Sequence, residues 1–128
     1  MATNKIASDI TSRLPVLQGP TNYETWAVQL RNALIMCNHW DIIKGNSLWS
    51  AQADNDKKTA WLLNDRQASA MIACYIPPSM QSLQGYEHRV TRDTAGAVNE
   101  MFSLSKDLWE RLASLYQPHG VANSFTSF

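Results

Sequence analysis

A chain of 128 residues, 45% of them hydrophobic, lies in the single-domain range and carries enough apolar side chains for a real core. Eleven basic residues balance eleven acidic ones, so the basic footprint of a nucleic-acid-binding module or of a reader of anionic membranes is missing. The apolar runs are only a few residues long, and Lys5, Asp9 and Arg13 interrupt the start. That pattern fits neither a transmembrane helix nor a signal peptide, and it leads us to expect a soluble cytoplasmic protein. Cys37 and Cys74 are then expected as reduced thiols rather than a disulfide.

Residues 1–14 read as a flexible leader, although Ile6, Ile10 and Leu14 at spacing four are compatible with a frayed helix. After Pro15 and the Gly19-Pro20 turn, Thr21 or Asn22 is placed to cap a helix, and Glu24 completes a Thr-x-x-Glu capping box. Tyr23, Trp26, Ala27, Leu30, Ala33, Leu34 and Cys37 share one helical stripe, which predicts a helix to about Met36. Trp40, Ile42 and Ile43 predict a short second helix stopped by Gly45, and residues 47–54 predict a loop. Asp54 or Asp56 then caps a helix whose face runs Trp61, Asp65, Ala68, Ile72 and Tyr75 or Ile76, ended by Pro77-Pro78.

Residues 78–93 are polar and irregular, predicting a long mobile connection with one helical turn near Met80 to Leu83. Ala95, Val98, Met101 and Phe102 predict another helix. Leu104, Leu108, Trp109, Leu112, Leu115 and Tyr116 continue the spacing behind Ser103 or Ser105 as caps, so one bent helix or two successive ones fit. Pro118 and Gly120 stop it and open a flexible tail over 118–128. No segment sustains two-residue alternation. The expected fold is therefore all-α, an irregular orthogonal bundle of four to five helices over residues 15–117 with no significant sheet.

Four phrases in order carry a resemblance. LQGPTNYETW contains Leu17, Gly19, Asn22, Tyr23 and Trp26; HWDIIKG contains Trp40; WLLNDRQASAMIACYIP contains Trp61, Asp65, Ala68 and Ile72; DLWERLASLYQP contains Trp109, Leu112 and Tyr116. Together they resemble the N-terminal capsid region of the Gag polyprotein of copia-type long-terminal-repeat retrotransposons. The resemblance implies a structural protein that self-associates in the shell of a virus-like particle and needs no active site. It also implies that the family's later capsid helices and zinc knuckle, where its nucleic-acid binding mainly resides, would follow the present C-terminus. The stretch between Pro78 and Ala95 is longer and more polar than the family's pattern.

Catalysis requires convergent groups. Cys37 and His39 stand two residues apart, which on a helix points them some 200 degrees apart. His39, His88 and His119 lie in separate elements, no Cys or His pair has zinc spacing, and no phosphate loop, nucleophile elbow or His-Glu-x-x-His helix occurs. No catalytic or metal site, cofactor or small-molecule substrate is expected. Asp65 is the polar residue that stands out, because it interrupts the stripe between Trp61 and Ala68. A buried carboxylate needs a partner, and an arginine such as Arg31, Arg66 or Arg111 is the expected one, in an interhelical ion pair or a helix-cap contact. The alternative is a carboxyl held ready for proton transfer.

Trp26, Trp61 and Trp109 head apolar stripes and are expected as core residues. Trp40 and Trp49 are less committed, and Trp49 is the better candidate for an assembly contact. Expected partners are the chain itself, weakly, or intact Gag. A second reading is a cellular all-α adaptor, including a domesticated Gag remnant that interferes with assembly. It would grip a helix or peptide, and an open apolar groove would distinguish it. An enzyme is a third reading, admissible where Cys37 or Cys74 meets a histidine and a carboxylate.

Overall fold

The computed structural model describes residues 14–116. Residues 1–13 of the expected leader and the tail from Pro118, together with His119, lie outside the described residues, whereas Leu14 packs against the core. The chain runs α1 (Tyr23–Met36), α2 (Trp40–Lys44), a 3-10 turn (Trp49–Ala51), α3 (Asn55–Ala73), a second 3-10 segment (Pro78–Leu83), β1 (Val90–Arg92), β2 (Val98–Met101) and α4 (Leu104–Tyr116). The fold is mostly helical, with one small two-stranded sheet among the described residues.

The helix ends follow local chemistry. Asn38 adopts φ 62°, and the Asn38 and His39 N–H groups donate to Ile35 O and Leu34 O at 3.1 and 2.9 Å. This paired closure satisfies two orphan carbonyls of α1. Gly45 closes α2 at φ 82°, the predicted stop. Asp54 caps α3 by accepting from the Lys57 N–H at 2.8 Å. At the other end of α3, the Gln81 side-chain amide donates to Ala73 O at 2.7 Å and to Ile76 O at 3.1 Å, which ties the second 3-10 segment to the helix.

The capping box expected at α1 does not form. Asn22 is the first flanking residue, at φ −124° and ψ 9°, outside the extended geometry from which a side chain reaches back to the first-turn N–H groups. Its side chain turns the other way. Asn22 Oδ1 accepts from the Gln18 N–H at 2.7 Å, and Nδ2 donates to Val16 O at 3.0 Å, so Asn22 braces the entering loop. Gly19 in that loop has φ 124°, and a Cβ there would meet the Tyr116 ring at 4.0 Å.

The helix expected from Ala95 to Phe102 is a β-hairpin instead, which also corrects the all-α expectation. The strands pair antiparallel with Val90 opposite Met101, Thr91 opposite Glu100 and Arg92 opposite Val98, with an irregularity between Thr91 and Arg92. Asp93 organises the tip, its Oδ1 accepting from the Ala95 and Ala97 N–H groups, both at 2.9 Å. α4 is therefore a single helix that begins at Leu104. The Ser50 hydroxyl and N–H both donate to the Glu100 carboxylate, fastening the hairpin to the first 3-10 turn.

One apolar cluster joins the helices, and at its centre are Leu17, Trp26, Leu30, Leu34, Ala68, Ile72, Leu108 and Leu112. Burial of this many large side chains supplies most of the drive to fold. Tyr75 O accepts from both the Leu17 N–H at 2.8 Å and the Trp26 indole N–H at 2.9 Å, so the loop before α1 and α1 itself are pinned to the segment after α3. Trp61 is buried, its indole donating to Ser47 O at 3.2 Å.

Candidate functional site

Two regions hold the chemistry, one buried and polar, the other open and apolar. Asp65 on α3 is 0% exposed and faces the first turn of α4. Its Oδ2 accepts from the Leu104 N–H at 2.7 Å and from His88 Nε2 at 2.8 Å. Its Oδ1 accepts from the hydroxyls of Ser103 at 2.5 Å and Ser105 at 2.6 Å, and from the Ser105 N–H at 3.2 Å. Ser103 also caps α4, its oxygen accepting from the Lys106 N–H at 3.0 Å. The carboxylate is thus an anion seated at a helix N-terminus, where unsatisfied N–H groups and the helix dipole favour negative charge.

Burial pushes the Asp65 carboxyl up, but the His88 ring, the Ser103 and Ser105 hydroxyls and the Leu104 N–H together hold it below the ordinary aspartate range. The expected arginine partner is corrected to His88. Arg111 pairs instead with Asp107 at 2.9 Å, Arg66 is exposed, and Arg31 lines the groove described below. The physical reason is direction: the Asp65 face of α3 meets the end of α4, where backbone donors are available, and not its flank. His88 comes from the 78–93 connection, its side chain 5% exposed and its ring 6.1 Å from that of Trp61. This part of the connection is anchored, contrary to the expectation of a mobile segment throughout.

Serine, histidine and aspartate are all present here, but the donors are arranged against nucleophilic catalysis. Both hydroxyls donate to the carboxylate rather than to the imidazole, so the serine–histidine pair of a nucleophilic triad is not formed here. Each carboxylate oxygen has its acceptor capacity occupied from within the chain. The arrangement joins α3, α4 and the residue-88 segment.

The cysteines lie elsewhere. Cys37, half-buried just past α1, has its thiol pushed up by burial, which lowers its thiolate fraction. His39 Nδ1 is hydrogen-bonded to Asn64 Oδ1, away from any cysteine pairing. Cys74 is exposed just past α3. Among the described residues no group of three or more His, Cys, Asp or Glu side chains is placed to hold a metal ion, and no helix is long and apolar enough to cross a membrane.

The second region is a groove of about 810 Å³ between α1, α2 and α4. Tyr23, Ala27, Trp40, Ile43, Trp109 and Ala113 supply its apolar lining. Trp109, expected as a core residue, packs against the core cluster and is half-buried where it borders the groove. One face of its indole stacks on Trp26 with centroids 5.8 Å apart, and Trp40 meets it at 5.2 Å and 84°, leaving an edge towards the groove. Tyr23 stacks on Tyr116 at 5.8 Å, and the Tyr116 hydroxyl donates to Met80 Sδ at 3.0 Å. Charged groups stand around the rim. Lys106 is paired with Glu110, and the Lys44 ammonium lies 5.9 Å from the Trp40 ring, whereas Glu24 and Arg31 have no ion-pair partner among the described residues.

Trp49 is outside this groove. It is half-buried in the first 3-10 turn with the Lys58 ammonium 4.4 Å from its ring centroid. Nearby, burial pushes the Glu100 carboxyl up, but the Ser50 and Met101 donors and the Lys58 charge outweigh it and hold the group below its ordinary range. Residues that sequence reasoning missed are His88, which no local pattern connects to Asp65, and the Glu24–Arg31 pair, whose seven-residue spacing was readable as one helical stripe. No family model, curated protein or solved structure matches the chain.

Proposed function

We propose that this chain is a structural domain of copia-type Gag character that associates with copies of itself in a particle shell and works in the cytoplasm without catalysing a reaction. The observation that supports this reading is the convergence of the four resembling phrases. Leu17, Tyr23, Trp26, Ala68, Ile72 and Leu112 meet in one cluster, Trp40 and Trp109 pack on its side, Gly19 lies against Tyr116, and Asp65 holds the start of α4. Residues shared with the family phrases are then fold determinants, which is what a structural protein has to preserve. The polar groups that a hydrolase would use are spent on helix capping. Light scattering over a concentration series, with negative-stain electron microscopy of the same samples, tests it. Growth into dimers, sheets or shells is expected, and a mass fixed at the monomer throughout would overturn the reading.

A second reading is favoured by the open groove between α1 and α4, an adaptor that receives a foreign amphipathic helix or peptide. Its signature is a monomer that binds such a helix stoichiometrically, with Trp40 and Trp109 fluorescence reporting occupancy.

A further inference from the structure

Glu24, Val28, Arg31 and Ile35 recur at spacings of three, four and seven along α1, so they form one stripe on the open wall of the groove. Val28 and Ile35 are 44% and 48% exposed, so this wall is uncovered. Arg31 is half-buried in the groove lining with Trp40, Ile35 and Ala27, and a partly desolvated guanidinium with no ion-paired carboxylate among the described residues has capacity for one. Glu24, two turns away on the same stripe, is an exposed carboxylate that also has no ion-pair partner among the described residues. The two are separated by roughly 10 Å along the axis, too far to satisfy each other.

A second copy satisfies both. When two α1 helices lie antiparallel about a two-fold axis passing between Ala27 and Val28, Glu24 faces the partner's Arg31, and Arg31 faces the partner's Glu24. Val28 then falls against the partner's Ala27, on the apolar lining of its groove. A parallel arrangement would oppose like charges and is disfavoured. We propose that the α1 wall of the groove is an isologous self-association face, closed by two reciprocal Glu24–Arg31 ion pairs. This rests on the self-association read above and names the face that carries it. A two-fold contact closes at the dimer, so a dimer is its product and any larger shell uses a further surface. The contact is small, hence weak, and its ionic part is screened by salt.

Sedimentation velocity on the full chain tests the pairing through two charge reversals. Glu24→Arg alone and Arg31→Glu alone each set two like-charge pairs across the axis, and each is expected to raise the dimer Kd by about tenfold or more. Mixing the two variants in equal amounts places opposite charges at both contacts, and a mixed dimer of at least wild-type affinity is expected. Recovery on mixing separates the effect from misfolding, which mixing does not repair, and matched melting curves check the same point. If the wild-type chain dimerises and the single variants dimerise equally well, or mixing restores nothing, the two-fold contact is overturned while self-association through another face stands. A wild-type chain that is monomeric at every concentration overturns both, and gives the groove to a foreign helix or to another segment of this chain.

Discussion

The Asp65 node and the α1–α4 groove are opposite solutions to the same problem of placing polar groups beside apolar surface. At Asp65 a charge is fully buried, and every acceptor position is matched by a donor from α4 or His88. In the groove the indole and aliphatic surfaces are open, and Glu24 and Arg31 on α1 have no ion-pair partner among the described residues. A satisfied buried node contributes to holding one conformation, whereas an unsatisfied open one is a surface with capacity for a partner. Stability and association should therefore respond to different residues.

The largest expected break of this contrast is Asp65→Ala. It leaves the Leu104 and Ser105 N–H groups, two hydroxyls and His88 without their acceptor, and a loss of about 3–5 kcal/mol is expected by analogy with unpairing a buried charge. Chemical denaturation measures it, and an unchanged midpoint would remove Asp65 from its structural role. His88→Ala is next, at about 1–3 kcal/mol, since it takes away one charge-assisted bond and the packing against Trp61. Amide exchange should quicken in residues 85–103 more than in α1.

Acidification sharpens the comparison further. The folded Asp65 carboxyl titrates below its unfolded value of about 3.9, so its contribution is complete above that value and is lost as pH falls through the lower folded value. Glu100 has the same sign and a smaller weight because it is partly solvated. The Asp65 contribution to thermal melts should thus be constant above about pH 5 and fall below about pH 4, and Asp65→Asn should remove that part of the acid dependence while the smaller Glu100 part stays. The smallest stability effect belongs to the groove wall. Val28→Ser is expected to change unfolding free energy by under about 0.5 kcal/mol while weakening self-association several-fold, which sedimentation reads directly.

α1, α3 and α4 were legible because long amphipathic stripes repeat often enough to exclude other periods, and Asp54 and Ser103 were legible as caps because a cap acts within three residues. The hairpin was not. Its strands are three and four residues long, too short for alternation to outweigh the three-residue spacing of Ala95, Val98 and Met101, and its turn depends on how Asp93 folds over the tip. The groove was equally hidden, since Trp109 and Trp26 look alike in sequence and differ only in what packs on their second face.

By itself the sequence determined the helical stripes, their stops and the polar intruder at position 65, because these depend on spacing within a turn or two. Only the tertiary structure decided that Asp65 answers to His88 and the α4 N-terminus, that residues 90–101 pair as strands, and that one wall of α1 remains uncovered. The Asp65 contacts join positions 23 to 40 residues apart and the hairpin is fastened through Ser50 and Glu100, 50 residues apart, and such contacts leave no periodic mark along a chain.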